Sequence, residues 1–157
     1  MSRVLAIESQ SFGSDAYPES LFRLYAADRR TLFLVASSGG AFVGYVIARL
    51  DRWGAEIVSL AVDPHARGRG IGAALLRAAI RRMQRRSARS IRLMVHVNNT
   101  NAAEFYRRQG FRSVGRIQDY YEDGGTGIRM RLQLPHLTGA RSKASGTLSA
   151  RHPAAQR

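Results

Sequence analysis

The feature that most constrains this chain is a glycine-rich turn between an apolar stretch and an amphipathic one, at residues 60–76. Residues 60–62 are typical of the end of a strand, and Asp63-Pro64 ends it because proline cannot donate to a strand ladder. The segment 67–72, Arg-Gly-Arg-Gly-Ile-Gly, then leads into a predicted helix over 69–86. Glycines permit a tight turn, and the free N–H groups of the turn and of the helix start converge on one point. The turn predicts an anion site, suited to a diphosphate-bearing ligand.

Two better-known phosphate-binding motifs are the alternatives at this turn. The GxxxxGK[ST] loop is absent, because no lysine follows and the only lysine of the chain is Lys143. The dinucleotide motif GxGxxG requires an acid about twenty residues later. The chain has GxGxG at 68–72, and the corresponding later residues are Arg89-Ser-Ile-Arg92. A plain flexible helix entry is the remaining alternative.

The spacing Arg67-x-x-Gly70-x-Gly72, after Val62-Asp63-Pro64, resembles the acyl-CoA signature of the GNAT superfamily of N-acetyltransferases. A second block, from Asn99 to Tyr106 and followed by Gly110-Phe111, is similar to the N-x-x-A-x-x-[LF]-Y…G-F segment of that superfamily. The two blocks have the order and separation of the family, and the resemblance covers roughly residues 4–134. It implies an α/β GNAT fold, with a mixed central sheet splayed at the acyl-CoA site and with flanking helices.

The periodicity of the chain is compatible with this fold. Helices are predicted at 1–10, 19–27, 69–86 and 100–109, and strands at 31–36, 41–50, 55–62, 90–97, 112–118 and 128–134. Because family members usually begin with a strand, we expect the first strand to be missing here. We expect an acetyltransferase domain over 1–135 and a basic, disordered tail over 136–157, where serine, alanine, glycine and arginine dominate without periodicity.

The composition limits the chemistry. A chain of 157 residues suffices for one domain, and the absence of cysteine excludes disulfides, thiolate metal sites and a cysteinyl acyl intermediate. Any acyl transfer is therefore expected to be direct. Four scattered histidines lack ligand spacing, so no metal is predicted. No apolar run of 18 residues and no secretory signal occur, and we expect a cytoplasmic protein without a membrane partner.

The charge of +14, from 25 basic and 11 acidic residues, favours anionic partners such as CoA phosphates, nucleic acid or an acidic protein. It disfavours polycationic small substrates. The arginine-rich face of the 69–86 helix has no interleaved aromatic residues, so nucleic-acid contact is expected to be nonspecific. The alternative is that these arginines only solvate the surface.

The resemblance implies which residues hold acetyl-CoA. The backbone of Leu60, Ala61 and Val62 would pair with the pantetheine arm and the thioester carbonyl, and Asn99 would contact the same arm or cap its own helix. Tyr106 matches the family tyrosine that protonates the departing thiolate; the alternative is a core tyrosine. The predicted contacts to the pyrophosphate are Arg67, Gly68, Arg69, Gly70, Ile71, Gly72 and Ala73.

Within the superfamily, the chain most resembles N-terminal amine acetyltransferases, particularly the ribosomal-protein-alanine type. The resemblance rests on Tyr17-Pro18-Glu19, on residues 95–111 and on Asp119-Tyr-Tyr-Glu-Asp-Gly124. It implies that Tyr17, Glu19, Tyr120 and Tyr121 frame a slot for the acceptor peptide. As sequence alone, the tyrosine pair is equally typical of an ordinary hairpin rim.

One position departs from this subfamily. The subfamily has a glutamate or histidine base five residues before the asparagine matched by Asn99, whereas this chain has Met94. His96 lies on the same strand face, since side chains alternate with period two, and Glu19 is a second candidate. Our hypothesis is that His96 takes the amine proton, directly or through a water; the alternative is a histidine without a role.

The leading interpretation is an N-acetyltransferase that moves an acetyl group from acetyl-CoA to the N-terminal α-amine of a protein or peptide, in a ternary complex. Three alternatives stay open. They are a small-molecule amine acetyltransferase, a non-catalytic acyl-CoA-binding module suggested by Met94, and a nucleic-acid or ribosome-associated protein.

Overall fold

The computed structural model describes residues 1–13 and 16–135, which form four α-helices and one six-stranded sheet. The helices are α1 (Ser2–Phe12), α2 (Glu19–Ala27), α3 (Ile71–Arg85) and α4 (Thr100–Arg108). The strands are β1 (Thr31–Ser38), β2 (Ala41–Asp51), β3 (Gly54–Val62), β4 (Ser90–His96), β5 (Arg112–Ile117) and β6 (Gly127–Gln133). The predicted elements are all present. In the described part of the chain no strand precedes α1, and the predicted tail at 136–157 lies outside the described residues.

The sheet is mixed and is split near its middle. Its strand order is β1-β2-β3-β4-β6-β5, and only the β3–β4 pair is parallel. That pair is joined only at Ala55–Ile91 and Glu56–Arg92, whereas all seven residues of β4 pair with β6. From Ile57 onward, β3 has no ladder partner on the β4 side. The predicted splayed α/β sheet is therefore confirmed.

A β-bulge contributes to the split. Ile47 pairs with Ser59 and Ala48 with Ile57, so Val58 is the extra residue of β3. A bulge bends and twists its strand. It also shifts the alternation of side chains between the two faces of β3 after Val58. As a result Ser59 and Ala61 face α1 and α2.

Two apolar clusters cover the two faces of the sheet. On one face, α3 packs Leu75, Leu76, Ala79 and Met83 against the central strands, and α4 adds Ala103. These positions recur at helical spacing, as the sequence predicts. On the other face, α1 and α2 pack over β1–β3 around Val4, Ile7, Phe22, Tyr45, Ile47 and Ala61. As a result β3, which borders the split, is packed on both of its faces.

Candidate active site

The free edge of β3 supplies the first part of the site. Leu60 to Val62 are hydrogen-bonded to β2 on one edge, and the other edge faces the split. Every second N–H and C=O group of this edge lacks a ladder partner, which is the arrangement that an extended ligand can pair with. The predicted position of the pantetheine arm is thus an open strand edge.

The glycine turn closes the same end of the split. Gly68 and Gly70 have φ of +75° and +74°, and a Cβ at either position would meet nothing within 4 Å. Gly70 is the N-cap of α3, and the first N–H of the helix with a backbone acceptor is that of Ala74, which donates to the Gly70 carbonyl at 2.9 Å. Within the described residues, the N–H groups from Gly68 to Ala73 have no acceptor. They form an open anion cradle at a helix N-terminus.

Arg67 has a different role from the predicted phosphate contact. Its Nε donates to the Val62 carbonyl at 3.0 Å, and its Nη2 donates to Ser11 Oγ at 3.2 Å. The guanidinium thus ties the glycine turn to the end of β3 and to α1. Arg69 is exposed and has no polar partner in the described chain, so its whole guanidinium is available for phosphate, whereas Nη1 is the part of the Arg67 guanidinium that stays unpaired.

Asn99 caps α4, and Tyr106 lies about two helical turns further on. Asn99 Oδ1 accepts the N–H of Ala102 at 3.0 Å, which is the N-cap role left open by the sequence. Tyr106 is half-buried, with its ring centroid 5.1 Å from that of Phe105 and 5.6 Å from that of Phe111. Burial, and secondarily the Tyr121 phenol, raise the pKa of Tyr106 above 10. Its hydroxyl has no hydrogen-bond partner among the described residues, and it stays protonated at neutral pH.

A group of tyrosines lies on the α1–α2 side of the split. Burial, followed by the charges of Tyr25, Tyr120, Glu8 and Glu56, raises the pKa of Tyr17 to about 12. Burial and Glu56 likewise raise the pKa of Tyr120. Tyr120 and Glu56 also line one cavity. The structure brings together two of the predicted slot residues and one carboxylate that the sequence analysis did not single out.

That carboxylate, Glu56, lines the same cavity as Met94 and Tyr120. It sits on β3 at the last pair before the split, opposite Arg92 of β4. Arg92 Nη2 lies 3.2 Å from Glu56 Oε2, and the same guanidinium also binds Asp51. A signal was present in the sequence, since Glu56 is the only acid within an otherwise apolar strand. Only the split shows that it faces the acceptor side.

Glu19, the second predicted base, is engaged elsewhere. Its Oε1 accepts Nη2 of Arg23 at 2.6 Å, one turn further along α2, and both side chains are exposed. The structure shows no contact between the Glu19 carboxylate and the tyrosine group. It places Glu19 at the first residue of α2, where a carboxylate favours the helix dipole.

His96 is hydrogen-bonded at both ring nitrogens. Nδ1 accepts the N–H of Asn98 at 3.1 Å, so the proton of the neutral ring is on Nε2, 3.1 Å from Asp123 Oδ2. The ring also lies 4.8 Å from that of Tyr121. Direct uptake of an amine proton requires a free ring nitrogen, and neither is free. The geometry thus argues against the hypothesis that His96 is the direct base.

The loop between β5 and β6 packs tightly on β4. A Cβ at Gly125 would lie 2.0 Å from His96 Nε2, and a Cβ at Gly127 would lie 2.5 Å from Met94 Cε. Gly125 also accepts the N–H groups of Tyr120 and Tyr121 at its carbonyl, at 3.0 and 3.2 Å. Glycines are therefore required where this loop crosses β4, and they set the positions of both tyrosines.

A buried polar cluster holds the opposite wall of the slot. Glu8 of α1 is 1% exposed; its Oε1 accepts the Tyr17 N–H at 3.0 Å, and its Oε2 binds the Tyr45 hydroxyl and, at 3.3 Å, the Ser59 hydroxyl. Burial raises the pKa of Glu8, and the three hydrogen bonds oppose that rise. Glu8 thus fixes the segment that carries Tyr17.

No group of three or more histidine or acidic side chains could hold a metal ion in the described part of the chain. None of its helices is long and apolar enough to cross a membrane.

Comparison with known proteins agrees with this geometry. The chain matches the model of the Acetyltransferase (GNAT) family over residues 1–111. It is 35% identical over 140 residues to an uncharacterized N-acetyltransferase of Methanocaldococcus jannaschii, with 88% of this chain and 89% of that protein covered. It is 36% identical over 130 residues to the N-alpha-acetyltransferase RimI of Mycobacterium tuberculosis, with 78% and 79% covered.

A solved structure gives the same result at the level of the fold. The NatC complex bound to Gag peptide and CoA includes a chain that superposes with a TM-score of 0.73 and 25% identity, over 83% of this chain and 88% of that one. The chain belongs to the GNAT family of acetyltransferases, and its reaction is acetyl-CoA-dependent N-acetyl transfer.

Proposed function

We propose that this protein acetylates the N-terminal α-amine of a protein or peptide by direct attack on the thioester of acetyl-CoA in a ternary complex. The observation that carries the proposal is the arrangement around the split. The free β3 edge and the cradle lie at one end, and Tyr17, Tyr120 and Glu56 line the acceptor side. The names of similar proteins support it: RimI is an N-alpha-acetyltransferase, and the NatC complex holds a peptide together with CoA.

Tyr106 is the proposed general acid. Acetyl-CoA supplies an activated acyl group, and the amine displaces CoA as a thiolate. Tyr106 gives its phenolic proton to this sulfur as the C–S bond breaks. This transfer is uphill by itself, because a thiol has a pKa of about 8.5, well below that of a buried phenol; reprotonation of Tyr106 from water then draws the step to completion. Proton transfer of this kind contributes about 10²–10⁴-fold.

Glu56 is the proposed proton acceptor, acting through a water. Met94 cannot take a proton, Glu19 is paired with Arg23, and both nitrogens of His96 are occupied. Glu56 is half-buried, lines the cavity that reaches Met94 and Tyr120, and has one ion-pair partner, Arg92, which it shares with Asp51. This assignment replaces His96 and Glu19 as the base.

The class of amine follows from protonation equilibria. An α-amine with a pKa near 8 is roughly one-tenth neutral at pH 7, whereas a lysine near 10.4 is neutral in only about four molecules in ten thousand. A site whose base acts at a distance therefore favours α-amines over lysines. Newly made polypeptides carry such amines in the cytoplasm, which is the location that we propose. A ribosomal protein is one candidate acceptor, given the resemblance described above.

A turnover assay on defined peptides tests the proposal. Free thiol release from acetyl-CoA is measured with short peptides that differ in their first two residues, with N-terminally blocked copies, and with lysine-only and small-amine controls. We expect turnover on certain free N-termini and none on blocked copies. Turnover only on small amines, or tight CoA binding without turnover on any amine, would contradict it.

A further inference from the structure

The sheet face beyond the tyrosine group carries a set of arginines in register. One face of the sheet is covered by α1 and α2, but only over β1–β3. On the same face, the side chains of β4, β6 and β5 are half-buried or exposed. Arg92 of β4 lies opposite Arg131 of β6, and Arg131 lies opposite Arg112 of β5. Two residues further along β4, on the same face, Met94 lies opposite Arg129 of β6. Directly opposite residues share a face, so three arginines form one row.

Most of this charge has no partner among the residues that the structure describes. Like charges directly opposite each other in a sheet are destabilising. Arg92 is neutralised by Asp51 and Glu56. Arg129 and Arg131 are exposed, and neither forms an ion pair or hydrogen bond with any other described residue. The arrangement thus leaves two guanidinium groups available to a ligand.

A groove connects these arginines to the site of transfer. A cavity of about 610 Å³ follows β4 and is also lined by Tyr120 and Trp53. Along β4, Met94 lies beside Arg129 at one end, Arg92 lies between Glu56 and Arg131 in the middle, and Ser90 lies at the other end. Met94 and Ser90 are four residues apart on β4, which corresponds to about 13 Å. An extended peptide of about four residues has this length. The groove therefore starts where the acceptor amine must lie and continues along the sheet.

We propose that this groove binds an acidic segment that follows the N-terminal residue of the acceptor. The inference rests on the proposed function and names its substrate class. Arg129 and Arg131 are two residues apart on one strand face, about 6.6 Å, which is also the spacing of side chains i and i+2 of an extended peptide. Two carboxylates with this spacing can each pair with one guanidinium, whose planar fork matches a carboxylate.

A polypeptide suits the groove better than a nucleic acid does. Glu56 projects a carboxylate into it, and Met94, Val114 and Ile117 contribute apolar surface. A phosphate backbone gains nothing from these three side chains, and its charge at every nucleotide cannot be kept away from Glu56. An extended peptide can place apolar side chains on this surface and its acidic ones on the arginines. The positive charge of the groove therefore determines which acceptor peptides the protein prefers.

The test compares peptides that differ only in charge. Twelve-residue peptides with one free N-terminus carry Asp, Asn or Lys at positions 3 and 5, or at 2 and 4, and kcat/KM is measured at 50 and 300 mM salt. For one of the two registers we expect the Asp peptide to exceed the Asn peptide on the order of tenfold, since each exposed pair contributes up to about fivefold. The preference is expected to fall with salt.

Variants assign the effect to the groove. Arg129→Gln with Arg131→Gln is expected to abolish the Asp preference and to leave the Asn peptide unchanged within about twofold. Arg81→Gln, on the exposed side of α3, is the matched control and is expected to keep the preference. Equal kcat/KM for Asp and Asn peptides in both registers would overturn the inference, as would a preference that survives the double variant.

Binding is also measured without turnover. Trp53 is the only tryptophan of the chain, is 67% exposed and lines the far end of the groove. Its fluorescence is titrated with N-acetylated Asp and Asn peptides and with a single-stranded RNA of matched charge. Tighter binding of the Asp peptide is expected, and tighter binding of the RNA than of the Asp peptide would overturn the inference. If no peptide is turned over, the proposed function fails, and this titration still decides the groove.

Discussion

The Nε2 atom of His96 lies 3.1 Å from Oδ2 of Asp123, while Nδ1 of the same ring accepts the N–H of Asn98. The pair joins β4 to the loop that carries Tyr120 and Tyr121. The N–H of Gly125 and, secondarily, the His96 ring lower the pKa of Asp123. The carboxylate therefore stays ionised at neutral pH. His96 is best understood as a residue that positions the loop.

This relationship predicts a binding effect without a change in proton transfer. In His96→Asn the loop loses its link to β4, and we expect the KM for the acceptor peptide to rise about fivefold, as expected for one exposed charge-assisted hydrogen bond. The shape of the pH–rate profile is expected to stay the same. Asp123→Asn should match His96→Asn. A pH–rate profile that loses a limb in His96→Asn, with KM unchanged, would restore His96 as the base.

Glu56→Gln is expected to lower kcat at pH 7 by about 10²–10⁴-fold if Glu56 accepts the amine proton. The deficit should shrink as the pH rises above about 8, because the α-amine is then neutral without help from a base. Steady-state kinetics from pH 6 to 9.5 measure this trend.

The control for Glu56→Gln is Asp51→Asn. It removes the other carboxylate partner of Arg92 and lies at the end of β2, before the split. We expect its kcat to stay within about threefold of the unchanged protein. A Glu56→Gln deficit that is constant with pH, or that Asp51→Asn reproduces, would mean that Glu56 acts only by holding Arg92.

Tyr106→Phe keeps the aromatic packing on Phe105 and Phe111 and removes only the hydroxyl. We expect kcat to fall about 10²-fold or more, while the Kd for CoA, measured by calorimetry, changes less than twofold. Burial keeps the phenol protonated; consequently Tyr106 should add no basic limb to the profile below pH 10. An unchanged kcat would show that water protonates the thiolate.

The parts of the site that are contiguous in sequence were predictable. The cradle from Gly68 to Ala73 and the α4 cap at Asn99 depend on local geometry, which glycine spacing and capping rules describe. The phase of α3 was likewise clear, because Leu75, Leu76, Ala79 and Met83 form one stripe. These elements appear within two residues of their predicted bounds.

The parts that depend on long-range placement were not predictable. The role of Glu56 depends on where β3 and β4 separate, and no local pattern gives that point. Arg67 was expected at phosphate, but Ser11, 56 residues away, takes its guanidinium. Leu24 of α2 is apolar and is nevertheless 63% exposed, because only a narrow stripe of this short helix, centred on Phe22, meets the sheet.

Glu8 gives a prediction about stability. Its carboxyl group is buried and is the shared acceptor for the Tyr17 N–H and for the hydroxyls of Tyr45 and Ser59. Glu8→Ala leaves these donors without their acceptor, and we expect the free energy of unfolding to fall by about 1–3 kcal/mol. The KM for the acceptor should rise as well, since the segment carrying Tyr17 is released. Urea unfolding and acceptor kinetics on the same variant measure both effects.

The pH dependence of stability follows from the same residue. Because burial raises the pKa of Glu8, the folded protein binds this proton more tightly than the unfolded chain does. The resulting stabilisation is complete below the ordinary pKa of 4.5 and is lost as the pH rises through the folded-state pKa. Glu8→Gln has no such proton, so its free energy of unfolding should decline less between pH 4.5 and 8. The exposed Glu19→Gln is the control and should keep the slope of the unchanged protein; equal slopes in all three proteins would mean that Glu8 is ionised in the folded state as readily as in the unfolded one.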